Sequence, residues 1–131
     1  MRYLGIDYGT KRIGVALSDE NGSLAFPSNV VKSGKNALEE IKLICEKNNV
    51  GAIVVGESTD FKGRDNPIME EIKNFVSVLE KETNLPVDLE PEFLTSAQAS
   101  RIQGEHGKID TSAAALILQA YLDKKRNGDN R

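Results

Sequence analysis

The sequence predicts an α/β domain in which helices cover both faces of a mixed sheet, and three observations carry that prediction. Two short apolar stretches, "RYLGID" and "RIGVALSD", are joined only by "YGTK", as in a hairpin. "GAIVVGE" is a continuous apolar run of strand length, the pattern of a parallel strand buried on both faces. Around it, apolar residues recur at helical spacing, and hairpin-linked strands followed by strand–helix–strand crossovers give a mixed sheet.

Taken in order, the two opening strands are followed by a third, "LAFPSNVV", whose Pro27 has no N–H for a ladder and places it at a sheet edge. "KNALEEIKLICEKNN" is a helix with Leu38, Ile41, Ile44 and Cys45 on one side. After the "GAIVVGE" strand, "STDFKGRDN" reads as a loop. "PIMEEIKNFVSVLEKET" is a second helix with Pro67 in its first turn and a stripe of Ile68, Ile72, Phe75, Val76 and Leu79. "LPVDLEPEF" alternates Leu85, Val87 and Leu89 with polar residues, as a strand does. "LTSAQASRIQ" is a short helix capped by Thr95, and a last helix starts at about Asp110 with Ala114, Ile117, Leu118, Tyr121 and Leu122 inward. Residues 1–126 form one domain, and 127–131 ("NGDNR") a flexible tail.

At 131 residues the chain is long enough for one sizeable core, and 39% hydrophobic with 28% charged residues is an ordinary globular balance. No apolar run approaches the length of a bilayer span, and "MRYLGID" leaves no room for a signal peptide, so a cytoplasmic protein with no membrane partner is expected. The lone Cys45 excludes a disulfide framework and serves as small core filler. A net charge of −3 argues against nonspecific coating of nucleic acid, which needs clustered positive charge. It is compatible with a nucleic-acid enzyme whose site is itself acidic. The Lys124-Lys125-Arg126 cluster reads as a solvated polar end.

Chemistry concentrates in "GIDYGTKRIGVAL", where Asp7 ends an apolar strand ahead of a glycine-bracketed turn carrying Lys11 and Arg12. Its glycines match neither the dinucleotide nor the Walker pattern. A nucleotide-phosphate hairpin of the sugar-kinase and actin-like kind is a weaker alternative, because those proteins close on nucleotide between two such domains. A metal ligand on a rigid strand suits the acid better, and carboxylates suit Mg²⁺ or Mn²⁺. Glu92 follows the "VDLEP" strand and Asp110 opens the last helix, so first, fourth and fifth strands lying side by side would bring three acids into one cleft. Such a cluster is stable with a cation among its members. Taken singly, each acid has a plainer role: Asp7 as a turn residue, Glu92 as a solvated loop acid and Asp110 as a helix cap.

Several segments together resemble the YqgF/RuvX family of Holliday-junction resolvases and pre-16S rRNA nucleases. They are "GIDYGTKRIGVALSD", "VVG" followed by a Gly-bearing loop and "NP", "EFLTSAQA" and "IDTSAAALILQAYLD", in the family's order and spanning nearly the whole chain. The resemblance implies a ribonuclease-H-like fold with a five-stranded sheet of order 3-2-1-4-5, its first three strands antiparallel. It implies a metal-dependent phosphodiesterase whose acids fall on Asp7, Glu92 and Asp110, holding two ions about 4 Å apart. Lys11 and Arg12 would bind backbone phosphate, and the loop from Glu57 to Asn66 would border the groove with Lys62 and Arg64 as further phosphate ligands.

The chain departs from the family pattern in two places. Pro91-Glu92-Phe93 stands where Asp-Glu-Arg is common, and Glu57-Ser58 where an apolar residue and proline are common. Glu57 is thus either an additional metal ligand or a loop acid, and His106 in "GEHGK" is read as an exposed loop residue. The expected task is processing the 5′ end of pre-16S rRNA. Junction resolution by a weak homodimer and a catalytically silent RNA- or ribosome-binding module are the alternatives. Partners would be structured RNA or branched DNA, including ribosomal precursor particles.

Overall fold

The computed structural model describes residues 1–9, 11–58, 68–92 and 106–126, without the side chains at 57, 58, 68, 91, 92 and 106–112. Its elements are β1 (Arg2–Asp7), β2 (Arg12–Ser18), β3 (Ala25–Lys32), α1 (Ala37–Lys47), β4 (Val50–Ser58), α2 (Ile68–Thr83), β5 (Val87–Glu92) and α3 (His106–Arg126). The five strands form one sheet of order β3-β2-β1-β4-β5. β1–β2 and β2–β3 are antiparallel, while β4 lies parallel to both β1 and β5, as expected. The short helix expected over "LTSAQASRIQ", the loop carrying Lys62 and Arg64, and the tail from 127 lie outside the described residues.

Pro27 does sit on an edge strand, and the ladder shows how the edge absorbs it. Ala16 pairs with Pro27 and Val15 with Asn29, which leaves Ser28 as the extra residue of a β-bulge. α1 and α2 end in left-handed asparagines, Asn49 (φ 52°) and Asn84 (φ 59°), a conformation asparagine tolerates better than most residues.

The sheet separates two cores. On one face Leu4, Ile6, Ile13, Val15, Ile53 and Val55 pack under Ile41 and Cys45 of α1 and Met69, Ile72 and Leu79 of α2. On the other, Tyr3, Ala16, Ala52 and Val54 meet Ala114, Ile117, Leu118 and Leu122 of α3. The α3 face of the sheet is built from smaller residues because α3 lies very close to it. A Cβ on Gly5 would fall 2.7 Å from Leu118 Cβ and 3.0 Å from the Ala114 carbonyl oxygen. No helix among the described residues is long and apolar enough to cross a membrane.

Cys45 fills core space as its helical position predicts. Burial, with Glu46 adding to it, pushes its thiol from 9.0 up to about 11. The neutral thiol is the form that packs, so its contribution to stability is intact below pH 9 and is lost as pH rises toward 11. Iodoacetamide at pH 8 should therefore leave the folded chain almost unmodified and alkylate Cys45 fully once urea unfolds it. Equal labelling rates in the two states would contradict this placement.

Two sequence expectations are corrected. α3 starts at His106 and not at about Asp110, so Asp110 lies inside the helix instead of capping it, and His106 is a helix residue. One glycine, Gly107, is tolerated in that first turn at a cost of about 1 kcal/mol. Lys124, Lys125 and Arg126 are exposed as expected, but they form the last turn of α3 and each makes a contact there. Lys124 pairs with Glu90 at 2.6 Å, Lys125 lies 5.8 and 5.7 Å from the ring centres of Tyr3 and Tyr121, and Arg126 pairs with Asp123 at 3.0 Å. Cations in a last helical turn also oppose the helix dipole favourably.

Candidate active site

β1, β4 and β5 run parallel, so their carboxyl ends open on one edge of the domain, where crevices for ligands form in open α/β sheets. Asp7 is the last residue of β1 and Glu92 the last of β5, and Ser58, the last of β4, pairs with Glu92. Side chains alternate along a strand, and the buried clusters fix which set faces α3. Tyr3 belongs to the α3-side core and Gly5 touches Ala114 and Leu118, so Asp7 shares the α3 face. On β5, Asp88 accepts a hydrogen bond from the Tyr121 hydroxyl and Glu90 one from Lys124. Position 92 has the same parity as these two residues and belongs to the same face. Position 57 has the parity of Ile53 and Val55, which lie in the opposite core.

α3 runs antiparallel to β1. Tyr121 stacks beside Tyr3 with ring centres 5.9 Å apart, and Leu118 and Ala114 cross Gly5. Moving from Ala114 to Asp110 climbs about 6 Å along the helix, and moving from Gly5 to Asp7 climbs about 6.6 Å along the strand. The backbone of Asp110 thus comes level with Asp7, on the same helical stripe as Ala114 and Leu118. Positions 7, 92 and 110 are thereby brought to one end of one face.

Asp7 is half-buried and engaged in an interaction of its own. Its neighbours across the sheet leave room around it. It pairs with Gly14 on β2, and after the Ile6–Val55 pair the next residue of β4 is Gly56. Both neighbouring positions are glycines, with no side chain beside the acid, and the Asp7 carboxylate is a ligand of the type that hard divalent ions take. Among the described side chains no group of three His, Cys, Asp or Glu forms, two of the three expected ligand side chains being outside the description.

The turn after Asp7 is held rigidly. The Ser33 hydroxyl donates to the Gly9 carbonyl at 2.7 Å, and the Ser33 N–H donates to the Lys11 carbonyl at 3.0 Å. A Cβ on Gly9 would run into the Arg12 carbonyl oxygen, so this close turn requires glycine. Lys11 and Arg12 are exposed at its tip.

Two features escaped the sequence reading. Tyr8 follows the strand acid and ties the site to α2: its ring lies 5.0 Å from that of Phe75, and its hydroxyl donates to Glu71 at 3.4 Å. Burial first, then the Glu71 charge, raise its phenol above the ordinary range. The signal was an aromatic residue placed directly after a strand-ending acid. The second is Glu90, which alternation suggests as solvated but which is 4% exposed beneath α3 and paired with the half-exposed Lys124. Lys124→Met should strand that buried carboxylate and cost about 1–3 kcal/mol in urea denaturation. Lys124→Arg should cost less, and equal stability of Lys124→Met and the parent would show that the pair contributes nothing.

Against known proteins, the chain matches the RuvX family profile, described as Holliday junction resolvase, over residues 1–124. A Nitratidesulfovibrio vulgaris protein provisionally named a pre-16S rRNA nuclease is 41% identical over 133 residues, covering 94% of each chain. A Thermoanaerobacter pseudethanolicus protein with the same provisional name is 37% identical over 138 residues, covering 97% of this chain and 99% of its own. Among solved structures, T. thermophilus RuvC in complex with a Holliday junction substrate superposes with a TM-score of 0.63 at 18% identity, covering 98% of this chain and 97% of its own. Fowlpox virus resolvase in complex with Holliday junction DNA gives 0.60 at 12%, covering 95% and 99%. At these identities the likeness establishes the fold, which is ribonuclease-H-like.

Proposed function

Because the chain belongs to the RuvX family, we propose that it is a divalent-metal-dependent endonuclease acting on structured nucleic acid, with 5′-end processing of pre-16S rRNA as its task. What supports this reading is that Asp7 and Glu92 end β1 and β5 at the open end of the parallel strands, and that α3, the helix carrying position 110, packs on β1 at Gly5. Asp7, Glu92 and Asp110 would hold Mg²⁺ or Mn²⁺. When bound, such ions supply an activated water and neutralise charge on the leaving oxygen of an in-line displacement.

The chain's own residues do the rest. Asp7 is fixed by a central strand, so its oxygens keep one geometry through the reaction. Lys11 and Arg12, on a turn pinned by Ser33, hold backbone phosphate beside the acids, Arg12 with a fork that can bind it bidentately. Lys62 and Arg64 extend the same grip from the 59–67 loop. Position 57 falls to the other sheet face by alternation, which favours three acids over a set that includes Glu57.

The relatives' names favour rRNA precursors as the substrate, and a monomer suffices for such trimming. The family description favours a second reading, resolution of four-way junctions, which needs two active sites related by a dyad and hence a dimer. The test is cleavage of an end-labelled pre-16S rRNA fragment and a four-way DNA junction, each with Mg²⁺, Mn²⁺ or chelator, beside the oligomeric state in solution. Metal-dependent cutting of the rRNA by a monomer is expected. Preferred junction cutting by a dimer would establish the second reading. Binding without cutting under any metal would leave a silent binding module.

A further inference from the structure

The end of the sheet that carries Asp7 also carries an unassigned strip of positive charge, toward the β3 edge. Arg12 and Lys32 are direct partners across β2 and β3. Ile13 and Val31, the pair next to them, are buried in the α1/α2 core, so alternation puts Arg12 and Lys32 on the α3 face with Asp7. They stand one step beyond Gly14, the residue paired with Asp7. Lys11 lies at the hairpin tip, and Lys35 lies in the turn between β3 and α1. Ser33, between Lys32 and Lys35, ties that turn to the hairpin. Lys11, Lys32 and Lys35 are exposed and form no ion pair among the described residues. The strip stops at α1, whose first turn carries Glu39 and Glu40.

Across the sheet the charge is therefore divided. Acids occupy the ends of β5 and β1, and bases the start of β2 and the end of β3. Asp7 and Lys32 are two strand spacings and two residues of rise apart, about 12 Å between backbones. In a chain with a net charge of −3, four cations within this small area are a local concentration and not a general property of the surface.

We infer that Lys32 and Lys35 form, with Lys11 and Arg12, a phosphate-binding track along which one nucleic-acid strand leaves the acid site across β2 and β3. This rests on the nuclease reading and deepens it. It gives the substrate a direction, perpendicular to the strands and toward the β3 edge, and a requirement for several nucleotides of backbone on that side of the cut. Contacts of this kind fix register on the substrate without reading its sequence, so they bind RNA and DNA strands alike.

The test is binding of a fluorescein-labelled RNA hairpin with a single-stranded tail, followed by anisotropy with Ca²⁺ present and KCl varied. The proteins are the parent, Lys32→Gln/Lys35→Gln and a control, Lys47→Gln, at the end of α1. Each phosphate contact on single-stranded nucleic acid contributes about 0.7 to the slope of log affinity against log salt. The double variant should lose about 1.4 of slope and bind about tenfold more weakly at moderate salt, while Lys47→Gln stays near the parent. Lys32→Arg/Lys35→Arg should retain the parent's slope. An unchanged slope in the double variant, or an equal loss in Lys47→Gln, would overturn the track while leaving the nuclease reading standing. Parent protein that binds neither this RNA nor a four-way DNA junction at any salt would overturn both.

Discussion

Asp7→Asn is expected to lower metal-dependent cleavage by at least about a hundredfold, because even residues that only orient a metal ligand cost ten- to a hundredfold when lost. The substitution keeps the shape of the side chain and removes a charge that the proposed metal site needs to attract a cation. Stability should change little or even rise, since relieving repulsion among unfilled acids favours the folded state. This opposition separates a site residue from a structural one. Cleavage rates at saturating Mg²⁺, measured beside urea denaturation, check it: near-parent cleavage would remove Asp7 from the site, and loss of cleavage together with loss of fold would give it a structural role instead.

Gly5→Ala is the second large effect, and here two terms compete. In a strand interior, alanine gains about 0.5–1 kcal/mol over glycine through reduced chain entropy. Against that, the new Cβ would sit 2.7 Å from Leu118 Cβ and 3.0 Å from the Ala114 carbonyl oxygen, neither of which is the free end of a flexible side chain. Relief requires α3 to move as a body, and overpacking of this kind costs about 1–3 kcal/mol. Packing wins, so a net loss of stability is expected. Function should fall further, because α3 carries Asp110 and a shift near 1 Å can cost about a hundredfold in rate. Urea denaturation and cleavage of the same substrate give both numbers. A stability gain with normal cleavage would mean that α3 can reseat without disturbing the acids.

Which stretches are strands and which are helices was legible in the sequence because it rests on periodicity and on residues with single meanings, whereas the sheet order came with the family resemblance. Pro27 belongs at an edge, and "GAIVVGE" belongs in the interior of a parallel sheet. What was not legible depends on which polar residues a neighbouring element covers. Alternation marks Asp88 and Glu90 as polar, but only the lie of α3 shows that Tyr121 and Lys124 meet them. The bulge at Ser28 is a ladder property that Pro27 hints at without locating. The start of α3 was read late because Asp110 suits a cap and "GEHGK" suits a loop, whereas the helix runs through Gly107.

For the candidate site, Asp7 could be singled out locally, as the acid at the end of an apolar strand. Glu92 and Asp110 acquire meaning only from being near it. The antiparallel lie of α3 on β1, set by Gly5, brings positions 110 and 7 level, and no local pattern encodes that closeness. Glu57 shows the converse: it is close in register to the other acids, yet its position differs in parity from Gly56 beside Asp7.

Mn²⁺ binding followed by electron paramagnetic resonance asks whether Asp7, Glu92 and Asp110 together hold divalent metal. Titrations of the parent, Asp7→Asn, Glu92→Gln, Asp110→Asn and Glu57→Gln need no substrate and no activity. Saturable binding by the parent is expected, with at least about tenfold weaker binding in each of the first three variants and parent-like binding in Glu57→Gln. Equal affinity in the parent and in all three site variants would contradict it.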